Sequence, residues 1–195
     1  MLIIGLTGSI GMGKTTAAKI LKKLGYPVYS ADESVHQVLK KGGKAVRPVA
    51  KLFPECLKQS AIDRKILGSL VFGKPRKLYQ LEKIIHPLLR EIENEFLHKA
   101  HKKKMRAAIL EIPLLFETGA DKRCDITLCV TAPAAVQRVR VLARKGMTKQ
   151  KLKAILARQM GNKEKCKKAD YIVPTGTSRK DTEMFLRKLF DELLA

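Results

Sequence analysis

Short apolar runs alternate with amphipathic stretches along most of the 195-residue chain. Five runs rich in apolar and β-branched residues predict strands at residues 2–6, 27–29, 107–112, 126–130 and 171–173. The segments between them space their apolar residues as helices do, and the first, residues 16–24, ends at Gly25. This alternation predicts an α/β fold in which helices flank a parallel five-stranded sheet.

The tract between the second and third predicted strands is too long for one crossover helix. Apolar positions repeat at helical spacing in residues 66–71 and 81–89, and glycine turns at residues 41–44 and 72–75 interrupt the tract. We therefore predict a helical insertion at approximately residues 33–105, within a single domain that takes in the whole chain. Because ligands of open α/β sheets bind outside the carboxyl ends of the strands, we expect the insertion to pack there and to bind the substrate.

A helical pair follows the fourth predicted strand. Residues 133–144 predict a basic helix that Gly146 ends, and Thr148 caps another helix that runs from residue 149 to about 160. The arginines of this pair are Arg138, Arg140, Arg144 and Arg158. We predict that the region, approximately residues 134–165, forms an arginine-bearing lid; a solvated basic face is the alternative. A last amphipathic helix is expected at residues 181–194.

The clearest chemical motif follows the first predicted strand directly. Residues 8–15 fit the P-loop pattern G-x-x-x-x-G-K-T, whose glycines let backbone N–H groups approach phosphate oxygens. The helix that follows adds the positive end of its dipole. A chance glycine turn is the alternative, but strand, loop and helix come in the expected order. The predicted nucleotide-binding residues are Gly8, Gly11, Met12, Gly13, Lys14, Thr15 and Thr16. In this motif the lysine reaches the β- and γ-phosphates and the threonine hydroxyl holds Mg²⁺.

Absent motifs narrow the class of P-loop protein. Residues 162–165 read N-K-E-K and miss the N-K-x-D pattern, and no D-x-x-G occurs, so a GTPase is disfavoured. One short nucleotide-binding unit also argues against a ring or transporter motor. A small-molecule kinase is favoured. Such a kinase needs an acceptor site, a group near the accepting hydroxyl and charge that neutralises the moving phosphoryl group.

Two carboxylates and two arginines are candidates for this chemistry. Asp32 follows the second predicted strand, at the sheet edge expected to face the P-loop, where it can orient the nucleophile or cap the next helix. Glu111 lies at the end of the third predicted strand, where a carboxylate can reach Mg²⁺ or its water. Arg140 and Arg144 lie one turn apart on the predicted lid helix, so both can meet phosphate oxygens.

Composition adds a strong positive charge. The chain has 40 Lys and Arg residues against 18 Asp and Glu, a formal net charge of +22, and no Trp. The excess can reflect nucleic-acid affinity or solvated helix faces, although the scarcity of aromatic residues disfavours stacking on single strands. No apolar run approaches the length of a membrane span and we expect no removable leader, so the sequence predicts a cytoplasmic protein.

The four cysteines suggest no metal site. Cys56, Cys124, Cys129 and Cys166 form no C-x-x-C pair. An odd separation sends Cys124 and Cys129 to opposite faces of their predicted strand, which is poor for sharing a metal. We interpret all four as buried or incidental thiols in a reducing compartment.

Segments spread over nearly the whole length carry a resemblance to a known family. They lie at residues 5–16, 31–32, 62–67, 71–72, 81–87, 112–117, 140–146, 159 and 169–173. The P-loop by itself is generic, but the combination of Asp63-Arg64, His86-Pro87 and the P-L-L-F-E run at residues 113–117 is specific. In this combination the chain resembles the dephospho-CoA kinase family.

The resemblance implies an activity and a set of roles. It implies transfer of the ATP γ-phosphoryl group to the ribose 3′-hydroxyl of dephospho-CoA, with Mg²⁺, giving coenzyme A and ADP. Asp32 is then the candidate base, and Arg140 and Arg144 are lid contacts. Arg64 and His86 are acceptor contacts, although a histidine in the place of His86 is by itself more often structural.

Two positions depart from the family pattern. Ser30 replaces the first Asp of a D-A-D motif, and Pro174-Thr175-Gly176 stands where an Asn usually precedes the Gly. Two other functions stay open at this point. One is phosphorylation of another small molecule or of a nucleoside monophosphate, and the other is nucleic-acid binding by a basic P-loop protein.

Overall fold

A computed structural model describes residues 1–157 and 159–195, which fall into two compact units. Unit 1 contains Met1–Tyr29 and Ala100–Ala195, and unit 2 contains Ser30–Lys99. The strands are β1 (Leu2–Thr7), β2 (Val28–Ser30), β3 (Leu57–Lys58), β4 (Ala61–Ile62), β5 (Ala107–Glu111), β6 (Ile126–Thr131) and β7 (Tyr171–Pro174). The α-helices are α1 (Lys14–Lys23), α2 (Ala31–Leu39), α3 (Val46–Leu52), α4 (Arg64–Val71), α5 (Pro75–Lys102), α6 (Ala134–Leu142), α7 (Lys149–Leu156), α8 (Asn162–Lys168) and α9 (Arg179–Leu193).

The main sheet has the strand order β2-β5-β1-β6-β7, with β1 at its centre. β1 pairs in parallel with β5 on one side and with β6 on the other, and β7 continues the parallel pairing from β6. The chain builds one half of the sheet and then returns to build the other, so the carboxyl end of β1 is the switch point where such sheets bind ligands. The five predicted strands and the predicted fold class are confirmed.

The two faces of β6 have different neighbours, because successive side chains of a strand point to opposite sides. Leu128 and Val130 are fully buried in the hydrophobic core, which also takes residues from β1, α1 and α9. Thr127, Cys129 and Thr131 alternate with them, and the two threonines hydrogen-bond to polar side chains in and just after α8. The second face of β6 is therefore covered by α8.

Two predicted helix boundaries in unit 1, at Thr148 and Gly25, are confirmed, and a capping box that was not predicted begins α9. The Thr148 side chain accepts a hydrogen bond from the Lys151 N–H at the start of α7. Ser178 and Asp181 form a reciprocal capping box at the start of α9. Gly25, with φ of +95°, follows α1 as expected for a residue that ends a helix.

Unit 2 is mainly helical and has its own hydrophobic core, which includes Phe53, Ile62 and Ile85. The 28-residue helix α5 runs through Pro87, so no helix starts at this proline. A proline inside a helix removes one backbone N–H donor, and the packing of Ile85 and its apolar neighbours on α5 in the core of unit 2 offsets this loss. Unit 2 also contains a short antiparallel hairpin, β3–β4, which was not predicted.

Three features of unit 1 also differ from the sequence prediction. Helix α6 ends at Leu142 and helix α7 at Leu156, both earlier than expected. Helix α8 was not predicted, because residues 162–168 carry no apolar periodicity. Arg158, grouped above with the lid arginines, lies outside the described residues. Among the residues that the structure describes, no helix combines the length and the apolar character needed to cross a membrane.

Candidate active site

The loop between β1 and α1 has the backbone geometry that a phosphate cradle requires. Gly8, Gly11 and Gly13 have φ of +155°, +76° and +85°, values that side chains rarely allow. A Cβ atom would also collide with neighbours. At Gly11 it would lie 2.5 Å from Val141 Cγ2, and at Gly13 it would lie 2.9 Å from Thr175 Oγ1. These glycines are therefore required on steric as well as conformational grounds.

A carboxylate from the neighbouring strand holds Lys14, the first residue of α1. Lys14 Nζ lies 2.7 Å from Glu111 Oε1, and only 12% and 8% of the two side chains are exposed. Glu111 pairs with Leu6 of β1 in the sheet register, so adjacent parallel strands bring the pair to one end of the sheet. A charge-assisted hydrogen bond between two largely buried groups is strong, because little water screens it. A bound triphosphate must therefore compete with Glu111 for the Lys14 ammonium group.

Thr15 and Glu111, the predicted magnesium ligands, carry oxygen donors of the kind that Mg²⁺ binds. Thr15 is exposed at the start of α1, whereas Glu111 is buried at the end of β5. Within residues 1–157 and 159–195, no three His, Cys, Asp or Glu side chains are placed to hold a metal ion by themselves. Mg²⁺ usually takes one or two protein ligands and completes its shell with phosphate oxygens and water. The donor set therefore fits a Mg²⁺ ion that arrives with ATP.

Thr175, which follows β7, hydrogen-bonds to the backbone of the phosphate loop. Its hydroxyl lies 2.7 Å from the Met12 carbonyl oxygen and 3.0 Å from the Thr131 carbonyl oxygen. Its own carbonyl accepts a 2.6 Å hydrogen bond from Arg140 Nη2. Sequence reasoning noticed Thr175 only as a departure from a family pattern. The structure shows that one residue connects the loop, the sheet and α6, the first helix of the predicted lid.

Two glutamine side chains hydrogen-bond to the backbone of Ile10 in the phosphate loop. Gln137 of α6 donates from Nε2 to the Ile10 carbonyl oxygen at 2.7 Å, and the Ile10 N–H donates to Gln159 Oε1 at 3.2 Å. Sequence reasoning missed Gln137, because a polar residue on a basic helix carries no signal of burial. Gln159 was noted only as part of the family resemblance. Both backbone groups of Ile10 are thus fixed by side chains from the predicted lid region.

A buried ion pair ties α8 to the segment after β5. The side chain of Lys165 is 0% exposed, and its Nζ donates to the Pro113 carbonyl oxygen at 2.7 Å and to both oxygens of Glu117 at about 3 Å. Glu117 also accepts a 2.9 Å hydrogen bond from the Met160 N–H, and Pro113 accepts one from the Thr7 hydroxyl at 3.1 Å. Sequence reasoning missed this pair, because Lys165 lies in a run of lysines that looks solvated.

The two predicted lid arginines have different surroundings. Arg140 lies on α6 and is half-buried, and its Nη1 has no hydrogen-bond partner among the described residues. Arg144 is exposed and lies beyond the end of α6 at Leu142. The prediction that both arginines lie on one helix, a turn apart, is therefore wrong. Helix α6 ends at Leu142, and Ala143 begins the turn that leads to Gly146.

Three further predicted site residues belong to unit 2. Asp32 is exposed in the first turn of α2, and Ser30 is the residue that caps this helix, accepting from the Glu33 N–H. The capping alternative for Asp32 is thus wrong. Arg64 Nη1 lies 3.4 Å from His36 Nδ1. His86 is exposed on α5.

Arg64 begins α4 directly after its capping residue, Asp63. The Asp63 carboxylate accepts hydrogen bonds from the Lys65 and Ile66 N–H groups at 2.9 and 3.2 Å. The N–H of Ile66, followed by that of Lys65 and the charge of Lys58, holds the pKa of Asp63 below its ordinary value. The cap therefore fixes the backbone from which Arg64 projects.

Comparison with known proteins gives a consistent result over the whole length. The family described as dephospho-CoA kinase matches residues 2–181. The chain is 51% identical over 165 residues to a dephospho-CoA kinase of Paramagnetospirillum magneticum, covering 85% of this chain and 78% of the relative. It is 45% identical over 194 residues to the Brucella melitensis dephospho-CoA kinase, covering 100% of this chain and 94% of the relative. The solved dephospho-CoA kinase from Campylobacter jejuni matches with a TM-score of 0.74 at 31% identity, covering 98% of this chain and 96% of that one.

Proposed function

The chain belongs to the dephospho-CoA kinase family, and from this premise we propose how its residues carry out the reaction. The reaction moves the γ-phosphoryl group of ATP to the ribose 3′-hydroxyl of dephospho-CoA and yields coenzyme A and ADP. ATP is the co-substrate and Mg²⁺ is required. The residues of the protein bind and orient the substrates and supply charge, because phosphoryl transfer needs little covalent chemistry from the protein.

The nucleotide half of the reaction is assigned to the loop between β1 and α1. The backbone N–H groups of Gly11, Gly13 and the residues around them bind the phosphates, helped by the dipole of α1. Lys14 exchanges its bond to Glu111 for the β- and γ-phosphates, which places its charge where negative charge is redistributed. Glu111, once released, is available to Mg²⁺ together with the Thr15 hydroxyl. Bound Mg²⁺ supplies charge neutralisation at the phosphates.

The lid arginines stabilise the phosphates from the other side of the nucleotide. Arg140 Nη2 donates a hydrogen bond to the Thr175 carbonyl oxygen, and its buried Nη1 is left to bind a phosphate oxygen. Arg144 is exposed beyond the end of α6, and it reaches the phosphates only when the lid closes. Guanidinium groups suit this task because they offer several N–H donors in a rigid plane.

The acceptor half is assigned to unit 2, Ser30–Lys99, which we propose is the acceptor-binding insertion. Asp32 orients the ribose 3′-hydroxyl and takes its proton late in the transfer. Support for this role comes from Ser30, which caps α2 and so relieves Asp32 of that duty. Arg64 and His86 bind the acceptor, and the Asp63 cap holds the helix start that carries Arg64.

One observation carries the choice of acceptor. The P-loop is shared by many kinases, but the family match extends from residue 2 to residue 181 and so includes all of unit 2. Similarity that stopped at the P-loop would leave another small-molecule kinase or a nucleic-acid binder equally plausible. The basic charge alone supports neither alternative over a kinase of this family.

The test is turnover with matched acceptors. Purified protein with ATP and Mg²⁺ is given dephospho-CoA, a 3′-deoxy analogue of dephospho-CoA, or AMP, and ADP release is followed with a coupled assay. We expect ADP release with dephospho-CoA alone, and coenzyme A as the product by mass spectrometry. Turnover of AMP without turnover of dephospho-CoA would overturn the proposal, as would equal ADP release with the 3′-deoxy analogue.

We also propose that the protein acts in the cytoplasm. The four cysteines form no disulfide in the described structure, which suits a reducing compartment, and the ATP that the reaction consumes is supplied there. Fractionation of the source cells followed by immunodetection tests this location. Recovery of the protein in the membrane fraction after a high-salt wash would contradict it.

A further inference from the structure

Two free cysteines of unit 1 lie in contact although 37 positions separate them in the chain. The Sγ atoms of Cys129 and Cys166 are 3.7 Å apart. Cys129 is fully buried in the middle of β6, and Cys166 is half-buried on α8. Sulfur atoms at this distance touch, and an S–S bond needs about 2.05 Å, so a shift of less than about 2 Å would join them.

The contact belongs to a packed face and not to a mobile surface. Residues 162, 165 and 166 share one side of α8, as helical spacing requires. Asn162 Nδ2 donates to the Thr131 hydroxyl at 2.8 Å, and Lys165 binds Pro113 and Glu117. These anchors hold Cys166 against β6. The side-chain alternation of β6 points Cys129 toward the same helix.

We propose that Cys129 and Cys166 are a modification site: hydrogen peroxide converts them to a reversible disulfide, and this bond lowers phosphoryl transfer. The Cys166 sulfur attacks one peroxide oxygen, the O–O bond breaks, and Cys166 becomes a sulfenic acid as water leaves. The Cys129 sulfur then attacks the Cys166 sulfur, the S–O bond breaks, and a second water leaves. In total, two thiols lose two electrons and two protons, and one peroxide is reduced to two waters.

The order of the two attacks follows from the surroundings of each sulfur. Cys166 is the half-exposed member, so peroxide reaches it first. Burial, and next the neighbouring Cys166, raise the pKa of the Cys129 thiol to about 12, which makes Cys129 a poor first nucleophile. Cys129 instead acts as the resolving thiol, since its partner is held in contact. Disulfides of this kind in reducing compartments are usually transient and redox-sensing.

The effect on activity passes through Thr131, which ends β6. Thr131 receives a hydrogen bond from Asn162 of α8, and its carbonyl oxygen receives one from Thr175, whose hydroxyl also reaches Met12 of the phosphate loop. Drawing α8 toward β6 disturbs the Asn162 contact and the loop support behind it. Misplacement of a catalytic loop by about 1 Å can reduce rate substantially. This half of the inference rests on the proposed function, whereas disulfide formation does not.

The experiment treats the reduced full-length protein with hydrogen peroxide, blocks remaining thiols with iodoacetamide and maps disulfides by mass spectrometry. Residues 124–138 contain no Lys or Arg before position 138, so Cys124 and Cys129 share one tryptic peptide. Cys124→Ser is therefore the matched control, and it must still give the crosslink to Cys166. Cys166→Ser must abolish it. We expect wild type and Cys124→Ser to lose two free thiols and regain them with dithiothreitol.

Activity is measured on the same samples. Wild type and Cys124→Ser are expected to lose kinase activity as the crosslink forms and to recover it on reduction, while Cys166→Ser keeps its activity in peroxide. Absence of the Cys129–Cys166 crosslink at full thiol oxidation would overturn the proposal whatever the activity. A crosslink formed without loss of activity would overturn the regulatory half and leave the proposed function standing.

Discussion

Replacing Lys165 with methionine tests how much one buried ion pair contributes to the fold of unit 1. Lys165→Met keeps most of the length of the side chain and removes the ammonium group that donates to three acceptor atoms at 2.7–3.0 Å. The Glu117 carboxylate, 19% exposed, then keeps the Met160 N–H as its donor. Removing one partner of a buried pair usually costs about 3–5 kcal/mol, because the other charge is left without compensation.

The expected shift is large enough to measure without ambiguity. For a chain of this size each kcal/mol lowers the melting temperature by about 2–4 °C, so Lys165→Met should lower it by about 6–20 °C. Calorimetry gives the melting temperature, and urea unfolding followed by circular dichroism gives the free energy of unfolding. Lys163→Met on the same helix is the matched control, since Lys163 is exposed and should change stability by less than about 0.5 kcal/mol.

A double variant separates a stranded charge from lost packing. Lys165→Met with Glu117→Leu replaces the whole pair by apolar groups, a change that is often neutral in other proteins. We expect it to recover most of the lost stability, short of about 1 kcal/mol for the Met160 N–H that loses its acceptor. The reasoning is refuted if Lys165→Met unfolds like Lys163→Met, or if the double variant is less stable than Lys165→Met.

Three other variants address the site. Lys14→Ala should lower kcat/KM by at least about 100-fold, because it removes a preorganised charge from the phosphates; a coupled ADP assay measures this, and a loss below tenfold would contradict the role. Asp32→Asn should lower kcat far more than it weakens ATP binding by calorimetric titration, and normal turnover would remove the proposed base. Asp63→Ala should destabilise unit 2 at neutral pH and raise the KM for dephospho-CoA. Because the folded-state pKa of Asp63 is lowered, its stabilising effect is present above the ordinary carboxyl pKa and is lost as pH falls through the lowered value, so urea unfolding of wild type and variant should converge in acid.

Features that depend on neighbours in sequence could be predicted. Residues 2–6 form a strand because apolar and β-branched residues are consecutive there, and the glycine pattern of residues 8–15 specifies the turn that follows. The Thr148 cap is also local, since one hydroxyl and one N–H three residues later are enough to make it. The correct fold class follows from the alternation of such segments.

Features decided by distant contacts could not be predicted. Lys165 looks like its exposed neighbours in sequence, and only the approach of Pro113 and Glu117 makes it the most deeply buried charge of its helix. The β3–β4 hairpin turns at Gln59 and Ser60, with φ of +48° and +62°, where no glycine or asparagine announces a turn. Gln137 gains its role from the Ile10 carbonyl, 127 positions away.

The contacts of α6 determine where a closing movement can begin. Gln137, Arg140 and Val141 occupy one face of this helix, and they meet the Ile10 carbonyl, the Thr175 carbonyl and the position behind Gly11. Movement of α6 as part of a lid would break both hydrogen bonds and uncover Val141. Each such bond contributes about 1 kcal/mol, and exposing a buried valine adds about 1.5–3 kcal/mol. We therefore expect α6 to stay with the phosphate loop and the moving part of the lid to begin after Leu142. In that case Arg140 is a fixed contact of the nucleotide, and Arg144 is the one that arrives on closure.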